Sequence, residues 1–238
     1  MDQLAFIFVY LEEQPLLWLF VTLSAYLLAE QIYHLGRNFA LLNPVLVSAV
    51  LIAVILWLSQ TSYADYFAGA QFIHVMLGPA IIALAVPVAR YQGALWRARY
   101  AVLAALCCGA LVAALSAVFL AKAFGLSDAL VASLAPKSVT APIAMGIAEQ
   151  IGGITSIAAV LAVVTGITGA VIVTPLFSRL GFTDWRARGF AVGVICHGIG
   201  TAHAFQVHAI AGTFATIGMA LNGVFSSVVL PVLLIVLL

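Results

Sequence analysis

Apolar residues dominate this chain in long runs, and most charged residues lie in the short stretches between them. The runs are roughly 18 to 25 residues long, the length that an α-helix needs to cross the hydrocarbon core of a bilayer. Strands of an outer-membrane barrel would instead alternate apolar and polar positions over about ten residues. The pattern therefore predicts an all-α integral membrane protein.

Five runs are uninterrupted and predict simple spans, at residues 15–33, 40–58, 100–124, 154–177 and 212–236. A sixth run, 67–91, is interrupted at Gly78-Pro79 and again at Pro87. Because proline removes a helical hydrogen bond and clashes with the preceding turn, we expect a break or sharp bend there, first at Pro79. Two further runs, 129–153 and 189–208, mix apolar residues with prolines, glycines, hydroxyls, histidines and charges.

Basic residues indicate how the chain is oriented. Seven of the nine basic residues lie in three short loops, as Arg37, then Arg90, Arg97 and Arg99, then Arg179, Arg186 and Arg188. The positive-inside rule places these loops in the cytoplasm and the acidic N-terminus outside. Between the outer loop at Asp128 and the inner loop at Arg179 the chain must cross an odd number of times, and 154–177 supplies one crossing. We therefore expect 129–153 to enter from outside and return, and 189–208 to do so from inside. The prediction is about six transmembrane helices plus two opposed re-entrant or broken-helix hairpins.

A short internal repeat agrees with this topology. Thr140-Ala-Pro142 resembles Thr201-Ala-His203, and glycines and prolines recur at similar spacings after each. One full crossing separates the copies, so they would form an inverted repeat, which is how many secondary transporters form a substrate site. We expect a single membrane domain, 1–238, with N-terminal spans in 15–124 and a hairpin-bearing transport unit in 129–238.

Composition excludes several classes of function. Apolar residues make up 65% of the chain and charged residues 7%, with a net charge of +1, whereas a soluble domain carries about a quarter charged residues. No phosphate loop, dinucleotide fingerprint, nucleophile elbow or zinc-protease motif is present. We therefore expect no enzyme, no cofactor and no nucleic-acid partner. An odd number of cysteines within apolar runs also predicts no disulfide framework.

The residue that indicates function most directly is Lys137. A lysine at the centre of a membrane segment costs roughly 2.5–3.5 kcal/mol and needs a partner, water or a ligand. Helix breaks at Pro136 and Pro142 would free backbone N–H groups, which with the hydroxyls of Ser138 and Thr140 are natural donors to a carboxylate. The alternative is that Lys137 extends to the outer interface or pairs permanently with Glu149.

Other polar residues have both functional and structural interpretations. Glu149 is a proton carrier or a residue of the outer headgroup layer. Asn222 in the last span serves coupling or bridges packed helices.

The second unusual run carries its own candidate residues. His197, Thr201 and His203 are candidates for hydrogen-bonding a substrate, with helix breaks at Gly198 and Gly200. A metal site is disfavoured because the spacing of His197, His203 and His208 does not match the usual short ligand pairs.

Several motifs together resemble those of the LrgB/CidB family over almost the whole chain from residue 37 onward. They are Leu41-Leu-Asn-Pro44, Leu77-Gly-Pro-Ala-Ile-Ile-Ala-Leu-Ala-Val-Pro87, Leu134-Ala-Pro-Lys-Ser-Val-Thr-Ala-Pro-Ile-Ala144, Glu149-Gln-Ile-Gly-Gly153, Ala187-Arg-Gly189 and Cys196-His-Gly-Ile-Gly-Thr-Ala202. The resemblance implies a bacterial cytoplasmic-membrane protein with one of two functions. One is a carrier of small monocarboxylates such as pyruvate, glycolate or lactate, like the related plastid glycolate/glycerate translocator. The other is a partner of small LrgA/CidA-like holin proteins, which modulates murein hydrolases and cell lysis.

The lysine and hydroxyls at a broken helix favour the carrier, with a small organic anion as its substrate, membrane lipid around it and a homodimer as its assembly. The chain also departs from the family pattern, in which Ser-His-Gly-x-Gly-Thr-Ala-Arg-Ala is common. Cys196 replaces the serine, His203 replaces the arginine, and Gln206 stands at a nearby position that is acidic in relatives. If that arginine binds a carboxylate in relatives, the anion here would rest on Lys137 and a protonated His203.

Overall fold

The computed structural model of the chain describes residues 15–36, 39, 42–76, 79, 82, 83 and 85–237. The described segments are helices joined by short turns, and they divide into two compact units, Met1–Ala83 and Leu84–Leu238. The boundary falls before the predicted 124/129 division, so the span beginning at Arg99 groups with the hairpin-bearing segments. The predicted break at Gly78-Pro79 includes Gly78, which lies outside the described ranges.

The first unit contains α1 (Pro15–Leu35), α2 (Pro44–Ser59) and α3 (Tyr63–Val75), with α1 packed against both others. Asn43 and Pro44 begin α2, because the Asn43 side chain accepts a hydrogen bond from the Val45 amide (2.9 Å) and proline is well suited to the first helical turn. On α1 the Thr22 hydroxyl lies 3.1 Å from that of Tyr66, which ties α1 to α3.

The second unit begins with two short helices, α4 (Ala85–Arg90) and α5 (Gln92–Arg97), followed by the long α6 (Arg99–Ala123). The remaining helices are α7 (Asp128–Leu134), α8 (Ala141–Gln150), α9 (Thr155–Arg179), α10 (Trp185–Val207) and α11 (Ala209–Leu237). Among the described residues, five helices are long and apolar enough to cross a membrane, namely Leu16–Leu35, Arg99–Ala123, Thr155–Arg179, Trp185–Val207 and Ala209–Ile235.

Helices α7 and α8 form the first hairpin, defined here as residues 128–150. Each is far shorter than the roughly 20 residues that a span requires. The Ser133 hydroxyl on α7 accepts a hydrogen bond from the Ile154 amide (2.7 Å), so the chain leaves this point and returns to it. Pro136 lies in the turn between the two helices, and Pro142 lies in the first turn of α8, where proline is tolerated.

Helix α10 forms the second hairpin, residues 185–208, because it doubles back at its midpoint. His197 has φ 41° and ψ −135°, outside the helical region. The rings of Trp185 and His208, at the two ends, stack with centroids 4.8 Å apart, whereas a straight helix of this length would separate them by roughly 34 Å. Neither arm alone is long enough to cross a bilayer, so length and composition alone overstate α10 as a span.

The break therefore lies at His197, one residue before the glycines predicted to form it. Gly200 has a different role, because a Cβ there would lie 2.3 Å from the Cβ of Cys196 on the opposite arm. The glycine lets the two arms approach.

Both hairpins are enclosed by α6, α9 and α11. Val131, Ala144 and Ile147 of the first hairpin share a buried cluster with residues of those three helices. The second hairpin packs on α11 through backbone contact at Gly193, where a Cβ would lie 1.9 Å from the carbonyl oxygen of Ala215. The all-α membrane class is thus confirmed, while the number of spans and the inverted repeat stay predictions.

Candidate functional site

The tips of the two hairpins meet at one buried side chain of α11, Asn222, which is 1% exposed. Its amide nitrogen donates to the carbonyl oxygens of Ser138 (3.0 Å) and Val194 (2.8 Å), one on each hairpin. Its oxygen accepts a hydrogen bond from the Ser226 hydroxyl (3.0 Å). Asn222 therefore uses both amide hydrogens to hold the hairpins together.

A cavity of about 460 Å³ lies between the first hairpin tip, α9 and the second hairpin. Its lining residues are Lys137, Val164, Thr165, Thr168, Gly169, Ile172, Val173, Leu176, Phe177, Ala191, Ile195 and Cys196. Most of these are apolar, and the one charged side chain among them is Lys137. The volume lies within the roughly 300–1,000 Å³ that is usual for small-molecule sites.

Lys137 has no acidic partner within the described ranges. The ion pair found there joins Arg186 and Asp184, and Glu149, the predicted alternative partner, is solvent-exposed. The half-buried Lys137 ammonium lies 3.5 Å from the Ser138 hydroxyl and lines the same cavity as Cys196. A desolvated cation without a counter-ion is a natural anchor for an anion.

The α9 wall of the cavity supplies hydroxyls and space. Thr165 donates its hydroxyl hydrogen to the Leu161 carbonyl (2.7 Å), and Thr168 lies less than one turn further along the same helix. Gly169 leaves room for the thiol of Cys196, since a Cβ there would lie 2.0 Å from the sulfur.

His197 and Thr201, both predicted to contact substrate, are buried and bonded within the protein. The His197 Nε2 lies 2.7 Å from the carbonyl oxygen of Ala162 on α9, and because a carbonyl only accepts, Nε2 carries the proton. Gly166 admits the ring, because a Cβ there would lie 2.9 Å from Cε1. The Thr201 hydroxyl donates to the His197 carbonyl (2.7 Å).

The other predicted residues lie around the cavity rather than in its lining. Ser138 is buried beside Asn222, and Thr140 begins α8 without a capping hydrogen bond from its hydroxyl. His203 lines a second, smaller cavity of about 20 Å³ together with Trp185 and Arg188. The structure thus brings Lys137 together with Thr165, Thr168 and Cys196, and not with Thr201 or His203.

Two features of this region escape prediction from sequence. Arg188, predicted to be a loop residue, lies inside α10 and is buried, because the Asp184 side chain caps the helix at the Arg186 amide (2.8 Å). Thr165 and Thr168 belong to the stretch Thr-Gly-Ile-Thr-Gly in a run predicted to be a simple span. Hydroxyls and glycines on one helix face often mark packed or polar surfaces in membranes, and that signal is present in the sequence.

Outside the spans, a pair of charged side chains, Arg186 and Asp184, interacts at the start of α10. A hydrogen bond from the Arg186 guanidinium lowers the pKa of the half-exposed Asp184 carboxyl. Within the described ranges no three His, Cys, Asp or Glu side chains come together as metal ligands would.

Relatives of this chain match along nearly all of its length. The profile of the LrgB-like family matches residues 22–236. The Bacillus subtilis protein named "Uncharacterized protein YwbG" is 32% identical over 217 residues, which is 91% of this chain and 96% of that protein. The "Holin-like protein CidB" of Staphylococcus epidermidis is 28% identical over 222 residues, 93% of this chain and 96% of that protein. No solved structure matches.

Proposed function

The chain belongs to the LrgB-like family, and from that premise we propose that it is a secondary transporter of small monocarboxylates of the pyruvate, glycolate and lactate type. The observation that carries the proposal is Lys137, a half-buried cation with no acidic partner in the described ranges, in the lining of a cavity of about 460 Å³. A carboxylate would supply the missing charge.

The cavity lining also supports the size and charge of the substrate. One cation neutralises one carboxylate, and a second carboxylate would face apolar residues such as Ile172 and Ile195 at a large desolvation cost. The Thr165 oxygen and the Thr168 hydroxyl offer hydrogen bonds to a keto or hydroxy group. Short acids with an apolar end suit such a wall.

Transport requires the site to open alternately to the two sides. We propose that the hairpin-bearing unit, 129–238, moves as one body together with α6, which packs on both hairpins. Within it, Asn222 ties both hairpins to α11, and His197 ties the second hairpin to α9. These bonds support movement of the hairpins together rather than apart.

Uptake by proteoliposomes tests the proposal. The parent protein should take up labelled pyruvate, glycolate or lactate, and Lys137→Gln should weaken substrate binding roughly 30-fold or more, since removing one partner of a buried charge pair costs about 2–5 kcal/mol. Lys122→Gln is the matched control, because Lys122 is the other lysine of the chain and is exposed. Robust uptake unchanged by Lys137→Gln would show that the anchor is wrongly assigned.

A second candidate function is favoured by the name of the Staphylococcus epidermidis relative, a holin-like protein. In this alternative the chain pairs with a small LrgA/CidA-like membrane protein and modulates murein hydrolases, and Lys137 is not required. Co-purification with such a protein, combined with a lysis phenotype that Lys137→Gln leaves intact, would favour it over transport.

The same proposal includes a bacterial cytoplasmic-membrane location, an external N-terminus and a homodimer. Labelling of single cysteines placed in the Arg179–Arg186 loop tests the orientation, because that loop should react only from the cytoplasmic side. Light scattering in detergent measures the assembly.

A further inference from the structure

Arg188 is a second buried cation without an acidic partner among the described residues. It is 8% exposed, and none of the described carboxylates lies within ion-pair distance of it. Asp184, one helical turn earlier, is bound instead by the Arg186 guanidinium, with contacts of 2.7–3.2 Å.

The contacts of Arg188 leave part of the guanidinium free. Nη2 donates to the Thr174 carbonyl (3.0 Å) and the Ser178 hydroxyl (3.2 Å), and the guanidinium carbon lies 4.4 Å from the centre of the Trp185 ring. Nε and Nη1 have no hydrogen-bond partner among the described residues. Neither atom is among the described side-chain atoms that are both fully buried and unpartnered, so each keeps some accessible surface.

The cavity beside Arg188 shares a wall with the Lys137 cavity. Val173 and Phe177 of α9 line both, with Arg188 and His203 on one side and Lys137 on the other. Phe177 also contacts Arg188 directly, with 5.8 Å from the guanidinium carbon to its ring centre. Val173 and Phe177 therefore separate two cations that have no acidic partner among the described residues.

We propose that Arg188 forms a second carboxylate-binding site, next to the Lys137 site and separated from it by Phe177. This inference rests on the proposed function, because the two sites would bind the same monocarboxylate one after the other during transport. The smaller cavity, about 20 Å³, has room for about one water-sized group. Occupation by a carboxylate therefore requires the Phe177 side chain to move aside. Phe177 would thus control passage of the substrate between the Lys137 site and the Arg188 site.

Fluorescence of Trp185 reports on this site directly. Replacing Trp18, Trp57 and Trp96 by phenylalanine leaves Trp185 as the single tryptophan of the full-length chain. The purified protein is titrated with sodium acetate, and acetamide serves as the uncharged isostere. We expect a saturable change with acetate and none with acetamide, because binding at Arg188 alters the charge next to the indole.

Variants decide whether Arg188 is the binding group. Arg188→Gln should weaken the acetate response at least tenfold, whereas Arg186→Gln, an exposed arginine on the same helix, and Ser178→Ala, which removes one bond of the guanidinium but no charge, should retain it. If Arg188→Gln does not fold, Arg188→Lys takes its place and should keep a saturable response, because the charge remains.

Each result bears on one of the two proposals separately. An acetate response that survives Arg188→Gln, or its absence in the folded parent or in Arg188→Lys, overturns the second site, even if uptake depends on Lys137. An Arg188-dependent response in a protein that transports no carboxylate supports the second site and refutes the proposed function.

Discussion

The backbone at His197 gives the sharpest test of the fold. The conformation of His197, φ 41° and ψ −135°, lies in a region that favours glycine, and it costs a residue with a Cβ about 1–3 kcal/mol. His197→Ala and His197→Gly both remove the hydrogen bond to the Ala162 carbonyl and the packing of the ring against Gly166. Their difference therefore isolates the backbone.

The two possible folds of α10 predict opposite signs for that difference. In a continuous helix, glycine is less stable than alanine by roughly 0.8–1 kcal/mol. At the turn of a hairpin with φ 41° and ψ −135°, glycine should be more stable than alanine by about 1–3 kcal/mol. Loss of the hydrogen bond and of the ring packing should make both variants less stable than the parent, by about 2 kcal/mol or more for alanine.

Equilibrium unfolding of the purified protein in mixed micelles, followed by circular dichroism, measures these free energies. We expect the order parent, then His197→Gly, then His197→Ala. A value for His197→Ala that equals or exceeds that for His197→Gly would refute a hairpin at this position and restore α10 as a span.

Variants at Asn222, Gly193 and Asp184 should change the stability of the protein in three different ways. Asn222→Ala should destabilise the protein by about 2–4 kcal/mol in micelle unfolding, because two buried carbonyls lose their donor. Ser226→Ala should cost only about 1 kcal/mol. Equal costs would argue against Asn222 as the residue that holds the two hairpins together. Gly193→Ala should destabilise the protein strongly, because the new Cβ would meet the Ala215 backbone. Gly146→Ala, with nothing within 4 Å of its Cβ, should be neutral or stabilising by up to about 1 kcal/mol. Thermal unfolding compares the two variants, and similar melting temperatures would contradict the close approach of Gly193 to α11. The hydrogen bond from Arg186 lowers the pKa of the Asp184 carboxyl on folding, so the ionised carboxylate stabilises the fold by about 0.5–1 kcal/mol for a half-exposed cap. This stabilisation is complete above the ordinary aspartate pKa near 4 and is lost as pH falls through the lower folded value. Asp184→Asn should therefore flatten the fall of the unfolding free energy at acid pH, and an unchanged fall would refute this assignment.

The unusual composition of two runs is sufficient to identify the segments that double back. Prolines and a lysine at 129–153, and glycines and histidines at 189–208, are costly or unusual in a helix that faces lipid, so both runs indicate protein-lined surroundings. The location of the second turn is not predictable in the same way. Gly198 and Gly200 are the obvious breaks by propensity, but Gly200 serves close packing and His197 takes the strained conformation, held by a hydrogen bond to another helix.

The candidate site is predictable only in part, because side-chain direction depends on packing. Lys137 is identifiable from its cost in a membrane. Thr165, Thr168 and Cys196 join it through the crossing of α9 and the second hairpin, which no local pattern encodes. Arg188 is assigned to a loop from sequence because basic residues cluster there, and its burial follows from where Asp184 begins the helix.

The Lys137 ammonium is the group that we propose binds the substrate carboxylate. Because the chain has two lysines, Lys122→Arg leaves Lys137 as the single lysine, which can then be labelled with ¹⁵N at Nζ. Solid-state NMR of the reconstituted protein with pyruvate labelled at its carboxylate carbon measures the distance between the two nuclei. We predict a dipolar coupling that corresponds to about 3.5 Å, as in a direct charge-assisted hydrogen bond. Saturating pyruvate that is bound, yet shows no coupling to Lys137 Nζ, would contradict the account.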